Sequence, residues 1–212
     1  MTTPPLSGRR AQAARNDELI LDAARAVFVA DPGAPISAVA ERAGVGISAL
    51  YRRHGSKEDL LRRLCADGLR RYIQIAEAAL AGTHGAGSAF AAFLGGVVDA
   101  DTHALTISLA GTFTPTPELW ELAARSGELA TAIVDRAHAA GELRTDFVVG
   151  DLGLVFEQLA HVRGSDDART AELRERYVAL FLDALRAPAG HRTLPGPPPQ
   201  VGEFAGRWDK RS

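Results

Sequence analysis

The chain has 212 residues, of which 46% are hydrophobic, and a formal net charge of −2 at pH 7, so it can bury a substantial core in one or two domains. Its single cysteine excludes an intrachain disulfide. It contains no apolar run of about 18 residues and no apolar N-terminal segment, so we expect a soluble, cytoplasmic protein.

The first element follows a polar, proline-containing stretch. We expect residues 1–15 to form a flexible basic arm, whose three arginines either contact a nucleic acid or are simply solvated. From Asn16 a cap and an acidic first turn begin a helix, whose apolar stripe runs to about Ala30. Alanine and leucine dominate the whole chain, and no long alternation of apolar and polar residues appears, which predicts an all-α fold.

The stretch from residue 36 to residue 59 predicts two short helices, a tight turn and a capped third helix. Ala40, Gly44 and Leu50 have the spacing of a helix-turn-helix. The small alanine lets two helices cross closely, the glycine takes a positive φ in the turn, and the leucine fills the corner. Ser56 and Asp59 have the spacing of a capping box. The outward face of the second helix keeps small and polar groups, which suit a base edge or a phosphate better than a core: Gly46, Ile47, Ser48, Tyr51, Arg52 and His54.

Charge is distributed unevenly along the chain. Residues 1–71 carry 12 Lys and Arg against 8 Asp and Glu, a net charge of +4, whereas residues 72–212 carry 12 against 18, a net charge of −6. This asymmetry favours a DNA-reading unit attached to a unit that does not touch DNA.

The remainder of the chain predicts one long helix and a helical body. The long helix runs from about Ser56 to Ala81, and a glycine-rich loop follows it. A Pro- and Gly-rich tail, residues 188–212, ends the chain, and the sequence does not decide whether it docks. The body helices are predicted at 89–100, 105–112, 117–141, 149–164 and 171–186.

The run AGVGISALYRRHGSKEDLL resembles the motif of the tetracycline-repressor-like (TetR) family. Two positions depart from it: His54 stands where the family usually has Phe, and Gly46 where Ser is common. The resemblance covers residues from about 16 to 65. The matching residues are Ala43, Gly44, Val45, Leu50, Tyr51, Ser56, Lys57 and Leu60.

This resemblance implies a three-helix DNA-binding head (residues 16–55) joined by the long helix to an effector-binding and dimerisation body (residues 56–187). It implies a homodimer, paired through the last two body helices, that binds a double-stranded DNA operator. A small apolar effector of unknown identity would release such a repressor from its operator. The alternative is a helical ligand-binding or protein-docking module that no longer reads DNA. The residues expected to contact DNA are Ser37, Val45, Gly46, Ile47, Ser48, Tyr51, Arg52, His54 and Lys57.

The body offers residues for an effector pocket, although aromatic residues at helical spacing more often form core. The candidate pocket residues are Tyr72, Phe90, Phe93, His103, Phe113, Trp120 and Phe156. The sequence contains no H-E-x-x-H pair, no phosphate-binding loop and no nucleophile elbow, so we predict neither an enzyme nor a metal or cofactor site. Cys65 would sense oxidants only if its pKa were lowered, and its place on an apolar helix face favours a buried, inert thiol.

Overall fold

The computed structural model describes residues 8–82, 85–186, 192–200 and 203, with the side chains of residues 8–14, 86, 87, 103, 104, 107 and 108 outside that description. Over this part of the chain the regular elements are all helices, apart from one isolated antiparallel bridge between Leu143 and Arg186, which confirms the predicted all-α class. None of the helices found there is both long and apolar enough to span a lipid bilayer. The helices are α1 Gly8–Ala30, α2 Ile36–Ala43, α3 Ile47–His54, α4 Lys57–Ala81, α5 Ala86–Asp99, α6 Thr102–Leu109, α7 Pro117–Ala139, α8 Val149–His161 and α9 Asp167–Leu185.

The chain divides into two compact units, which we call the head (Met1–Leu64) and the body (Cys65–Ser212). The division falls within α4, whereas the sequence analysis placed it at the start of that helix. α4 therefore carries residues of both units.

Helix α1 begins earlier than the sequence analysis predicted. It starts at Gly8, so residues 8–15, which were assigned to a flexible arm, are helical. This segment is rich in Ala, Arg and Gln, which favour a helix, and Asn16 lies in the middle of the helix instead of capping it. Residues 1–7, the rest of the predicted arm, lie outside the described residues.

The core of the head forms where the apolar stripe of α1 meets the three helices that follow it. Fully buried side chains come from all four helices of this unit: Phe28, Val39, Leu50, Leu60 and Leu64. Burial of these side chains is the main term that stabilises the head and fixes which face of α3 points outward.

The body is built around α5, α7 and α8. The apolar face of α8 is buried inside the protomer, including Leu152, Phe156 and Leu159. Helix α9 differs, because Tyr177 and Leu180 are 44% and 52% exposed. The last helix, and not the last two equally, therefore presents an uncovered apolar face.

Part of the Pro- and Gly-rich tail lies on the body. Arg144 donates from Nη2 to the carbonyl oxygen of Arg192 at 2.8 Å, and the amide of Leu194 donates to Asp146 Oδ2 at 2.7 Å. Further along, the Pro199 carbonyl oxygen lies only 2.8 Å from where a Cβ on Gly150 would stand. Residues 192–200 thus dock beside the start of α8, while Phe204 and Trp208, the aromatic residues of the tail, lie outside the described residues.

Candidate nucleic-acid interface

The turn between α2 and α3 has the geometry that the Ala40, Gly44 and Leu50 spacing predicts. Gly44 ends α2 in the left-handed conformation (φ 65°, ψ 30°), which glycine adopts without a steric penalty. The amide of Val45 donates to the Ala40 carbonyl at 3.0 Å and closes the turn. Ala40 is buried and Leu50 is completely buried at the corner, so the two short helices are held in a fixed crossing.

That crossing leaves one face of α3 open to solvent. Ile47 and Tyr51 are 43% and 44% exposed, and Gly46, Ser48 and Arg52 are also exposed. These residues come from the first turn of α3 and the turn after it, which is the part of a recognition helix that reaches base edges in other helix-turn-helix proteins. Of the other residues expected to contact DNA, Ser37 is exposed on α2 and Val45 is half-buried in the turn. A hydroxyl, a phenol and a guanidinium on one small helical face suit phosphate and base contacts.

The start of α4 is capped as the sequence analysis predicts, but Lys57 is placed differently. Ser56 Oγ accepts from the amide of Asp59 at 3.0 Å and donates to the carboxylate of the same residue at 2.6 Å. Lys57 Nζ donates to the carbonyl oxygens of Gly33 (3.2 Å) and Ala34 (2.7 Å). Two of its three N–H groups therefore bind the loop between α1 and α2, and the phosphate contact expected of Lys57 stays a prediction that depends on the third.

His54 does not belong to the exposed face, so its expected outward position on α3 is wrong and the structure gives no support to a DNA contact. The residue is only 6% exposed, and its Nε2 lies 3.4 Å from Asp17 Oδ1 on α1. His54 follows Leu50 by four residues, and residues four apart share one face of a helix. It therefore points into the head as Leu50 does, where the related motif has Phe.

An ion-pair cluster surrounds this histidine, and we call Asp17, Arg53, His54 and Arg63 the Asp17 cluster. Arg53 on α3 donates from Nε to Asp17 Oδ1, and Arg63 on α4 donates from Nη2 to Asp17 Oδ2, each at 2.5 Å. The Asp17 side chain is only 13% exposed. One carboxylate thus joins three helices of the head.

The charges of the cluster set its protonation at neutral pH. Burial by itself would raise the pKa of Asp17, but the hydrogen bonds and charges of Arg53 and Arg63 outweigh it and hold that pKa below 3.8. Burial lowers the pKa of His54, and although Asp17 raises it, the two arginines lower it further, so it stays below 6.5. At pH 7 the cluster therefore contains a carboxylate, two guanidinium ions and a neutral imidazole.

Asp17 and Arg63 do not stand out in the sequence as members of a site. Asp17 was interpreted as part of a helix cap, because its partners lie 36 and 46 residues away and local patterns do not report such pairs. The one available signal was the replacement of an apolar motif residue by His54, which requires a polar partner when it is buried.

The candidate effector residues are mostly packed against one another. Tyr72, Phe93 and Phe156 form a cluster of edge-to-face rings with centroids 5.3 to 6.2 Å apart, and Phe90 contacts Phe147 in the same way. The ring separations are typical of aromatic pairs. These residues, which were expected to line a pocket, therefore pack in the core of the body. Phe113 is also buried, and the side chain of His103 lies outside the described residues.

Trp120 lies outside the body core, and its role in an effector pocket stays a prediction. It is 53% exposed, whereas the preceding Leu119 is 5% exposed. Adjacent residues on a helix are rotated by about 100°, so only one of the pair can face the body core, and the leucine does.

A small cavity borders the aromatic cluster beside Phe156. Its volume is about 10 Å³, room for roughly one water molecule, and its lining includes Val97, Asp101 and Arg174. Arg174 is 8% exposed, and its Nη1 lies 3.0 Å from Asp101 Oδ1. Its Nε has no hydrogen-bond partner among the described residues. In the same part of the chain, no three His, Cys, Asp or Glu side chains converge as metal ligands would.

Comparison with known proteins gives a family match for the head and solved structures similar to the chain as a whole. The family model for bacterial regulatory proteins of the tetR family matches residues 20–64. No curated protein matches the chain. Among solved structures, the chain is 28% identical to the TetR transcriptional regulator SCO0520 from Streptomyces coelicolor, with a TM-score of 0.55 over 81% of this chain and 99% of that one.

Two further structures agree with this placement. A TetR regulatory protein from Mycobacterium vanbaalenii is 28% identical, with a TM-score of 0.54 over 84% of this chain and 98% of that one. The regulator LfrR from Mycobacterium smegmatis, solved in complex with proflavine, is 22% identical and shares the fold, with a TM-score of 0.55 over 86% of this chain and 99% of that one. Residues 20–64 therefore carry the helix-turn-helix head of bacterial regulatory proteins of the tetR family, and the chain as a whole is similar in fold to TetR regulators.

Proposed function

We propose that this protein is a ligand-responsive transcriptional repressor that binds a double-stranded DNA operator through the exposed face of α3. The observation that carries the proposal is the position of Tyr51 and Arg52, which are held outward on α3 by the buried Leu50 corner. A helix presented in this way fits the major groove, where arginine reads base edges or binds phosphates.

A homodimer would place two such helices on one operator. The exposed Tyr177 and Leu180 of α9, which are three residues apart and so share a helical face, support a partner helix from a second copy. Two α3 helices separated by about 34 Å, one turn of DNA, would then enter successive major grooves. We expect an operator with two related half-sites.

The effector would act through the body. The cluster of aromatic rings in the body supports a ligand with apolar surface, and LfrR, which shares the fold, was solved in complex with proflavine. An effector lowers DNA affinity only as far as it prefers a conformation that binds DNA less well.

The test measures binding to duplexes that cover the DNA upstream of the protein's own coding region, by fluorescence anisotropy over a range of salt concentrations. We expect one duplex to be preferred, and Tyr51→Ala and Arg52→Ala to weaken binding to it. The slope of log affinity against log salt should fall by about 0.9 for each phosphate that a variant no longer neutralises. Arg71→Ala, which removes the same charge from an exposed position in the body, is the matched control.

Two outcomes would count against the proposal. If Arg52→Ala and Arg71→Ala weaken binding equally, the exposed α3 face is not the contact surface. If the unaltered protein prefers no duplex at any salt concentration, the alternative of a helical ligand-binding or docking module is favoured.

A further inference from the structure

The Asp17 cluster lies directly behind the DNA-reading face and links that face to the rest of the head. Arg53 and His54 are the last two residues of α3, two and three residues after Tyr51. Asp17 binds Arg53 through one carboxylate oxygen and Arg63 through the other. Both oxygens are thus occupied by guanidinium groups from different helices, in a place where the carboxylate is largely shielded from water.

We propose that Asp17 is a positioning residue for DNA recognition: it orients α3 by holding Arg53 and Arg63, and it withholds their charges from the phosphate backbone. The inference rests on the proposed function, since it concerns how the same α3 face is aimed. Asp17 itself is not proposed to contact a base. Its effect passes through the two arginines.

This arrangement has two consequences of opposite sign for DNA binding. Fixing the end of α3 strengthens binding to the operator, because base contacts require a defined helix orientation. Neutralising two arginines weakens binding to every duplex equally, because the sequence-independent part of the affinity rises with the positive charge available to phosphates. Removal of the Asp17 carboxylate should therefore lower operator affinity and raise affinity for unrelated DNA, which general unfolding of the head would not do.

His54 makes the same arrangement sensitive to pH. The charged groups that face its ring are Asp17 from α1, Arg53 from its own helix and Arg63 from α4. When His54 gains a proton, its Nε2, 3.4 Å from Asp17 Oδ1, becomes a charged donor that competes with Arg53 for that oxygen. Protonation should thus release Arg53 and have the same effect as removal of the Asp17 carboxylate.

The direction of the pH effect follows from the neutral state of the buried ring. Because the pKa of His54 is lower in the folded head than its ordinary value of 6.5, the stability that the neutral ring contributes is complete above pH 6.5. That stability is lost as the pH falls below 6.5 toward the folded-state pKa. Asp17 stays ionised in this range, because its pKa lies below 3.8.

The experiment measures the specificity ratio, which is affinity for the preferred upstream duplex divided by affinity for a random duplex of equal length. It compares the unaltered protein with Asp17→Asn, Asp17→Glu and the control Asp22→Asn at pH 7.5. Asp22→Asn removes the same charge from α1 at a side chain that is 72% exposed. We expect Asp17→Asn to lower the ratio by roughly tenfold or more, because it removes a shielded carboxylate that accepts from two guanidinium groups. It should also tighten random binding more than Asp22→Asn does, and Asp17→Glu should restore part of the ratio.

A second measurement follows the same ratio as the pH falls from 7.5, at constant ionic strength, through the protonation of the His54 ring detected by NMR. The unaltered protein should lose specificity as the ring gains its proton, whereas His54→Phe, which has no titratable ring, should keep its own ratio constant. This arm tests the inference even if Asp17→Asn does not fold.

Equal ratios for Asp17→Asn and Asp22→Asn would overturn the inference while leaving the proposed function standing. The same holds if the unaltered protein and His54→Phe show parallel pH profiles. Failure of the unaltered protein to prefer any duplex would overturn the proposed function and the inference together.

Discussion

The close approach of α4 and α5 in the body allows a sharp test of packing. A Cβ added at Gly96 on α5 would lie 2.9 Å from Cγ2 of Ile75 on α4, whereas a Cβ at the neighbouring Gly95 meets nothing within 4 Å. Optimal carbon–carbon contacts are about 3.5–4.0 Å, so alanine at Gly96 is at least roughly 0.6 Å too close. Cγ2 is carried by a β-branched side chain whose χ1 is restricted in a helix, so it cannot rotate away easily.

These distances predict opposite effects of the same substitution at adjacent positions. Gly95→Ala should raise the free energy of unfolding by about 0.5–1 kcal/mol, because alanine loses less conformational freedom in a helix than glycine does. Gly96→Ala gains the same term, but overpacking costs about 1–3 kcal/mol, so its net effect should be near zero or destabilising. Urea denaturation followed by circular dichroism, at one protein concentration because a dimer's stability depends on it, measures the difference of about 1–3 kcal/mol between the variants.

A double substitution separates the steric clash from other causes. Ile75→Ala removes Cγ2, so in the Ile75→Ala background the Gly96→Ala change should become as favourable as Gly95→Ala is in the unaltered chain. A double-mutant cycle should then show a coupling of about 1–3 kcal/mol. Equal denaturation midpoints for the two single alanine variants, or no coupling with Ile75, would refute the packing argument.

Two further predictions concern the tail and the cysteine. The Cβ of Gly150→Ala would lie 2.8 Å from the Pro199 carbonyl oxygen, whereas the Cβ of Gly153→Ala on the same helix meets nothing within 4 Å. Gly150→Ala should therefore speed hydrogen exchange at the amide of Leu194, and Gly153→Ala should not. Equal exchange rates in the two variants would mean that the tail does not dock here. Cys65 is 2% exposed and burial raises the pKa of its thiol to about 12, so a thiol reagent at pH 8 should react with it only after denaturation. Rapid reaction in the folded protein would revive the redox-sensing interpretation.

The helix-turn-helix could be predicted because its determinants are close together in the chain. Ala40, Gly44 and Leu50 act within one supersecondary unit, and the structure places all three as their spacing requires. The same holds for Ser56, whose hydroxyl caps α4 by accepting from the amide of Asp59, three residues further along the chain. Signals of this kind depend on local geometry, which the sequence specifies directly.

The differences from expectation fall where one helical face had to be chosen from several. His54 was assigned to the outside because its side chain is polar, although it lies four residues after the buried Leu50. Trp120 was assigned to a pocket because it is aromatic, although Leu119 takes the buried position. Residue type suggested one face and helical geometry required the other.

By itself, the sequence determined the helical class, the turn and capping residues, and the family resemblance of the head, because each of these depends on residues a few positions apart. Only the tertiary structure decided that Asp17 meets Arg53 and Arg63 across 36 and 46 residues, that the aromatic residues of the body pack together, and that the tail lies against α8. Such contacts depend on how separate helices pack, and no local pattern records which of several complementary side chains will meet.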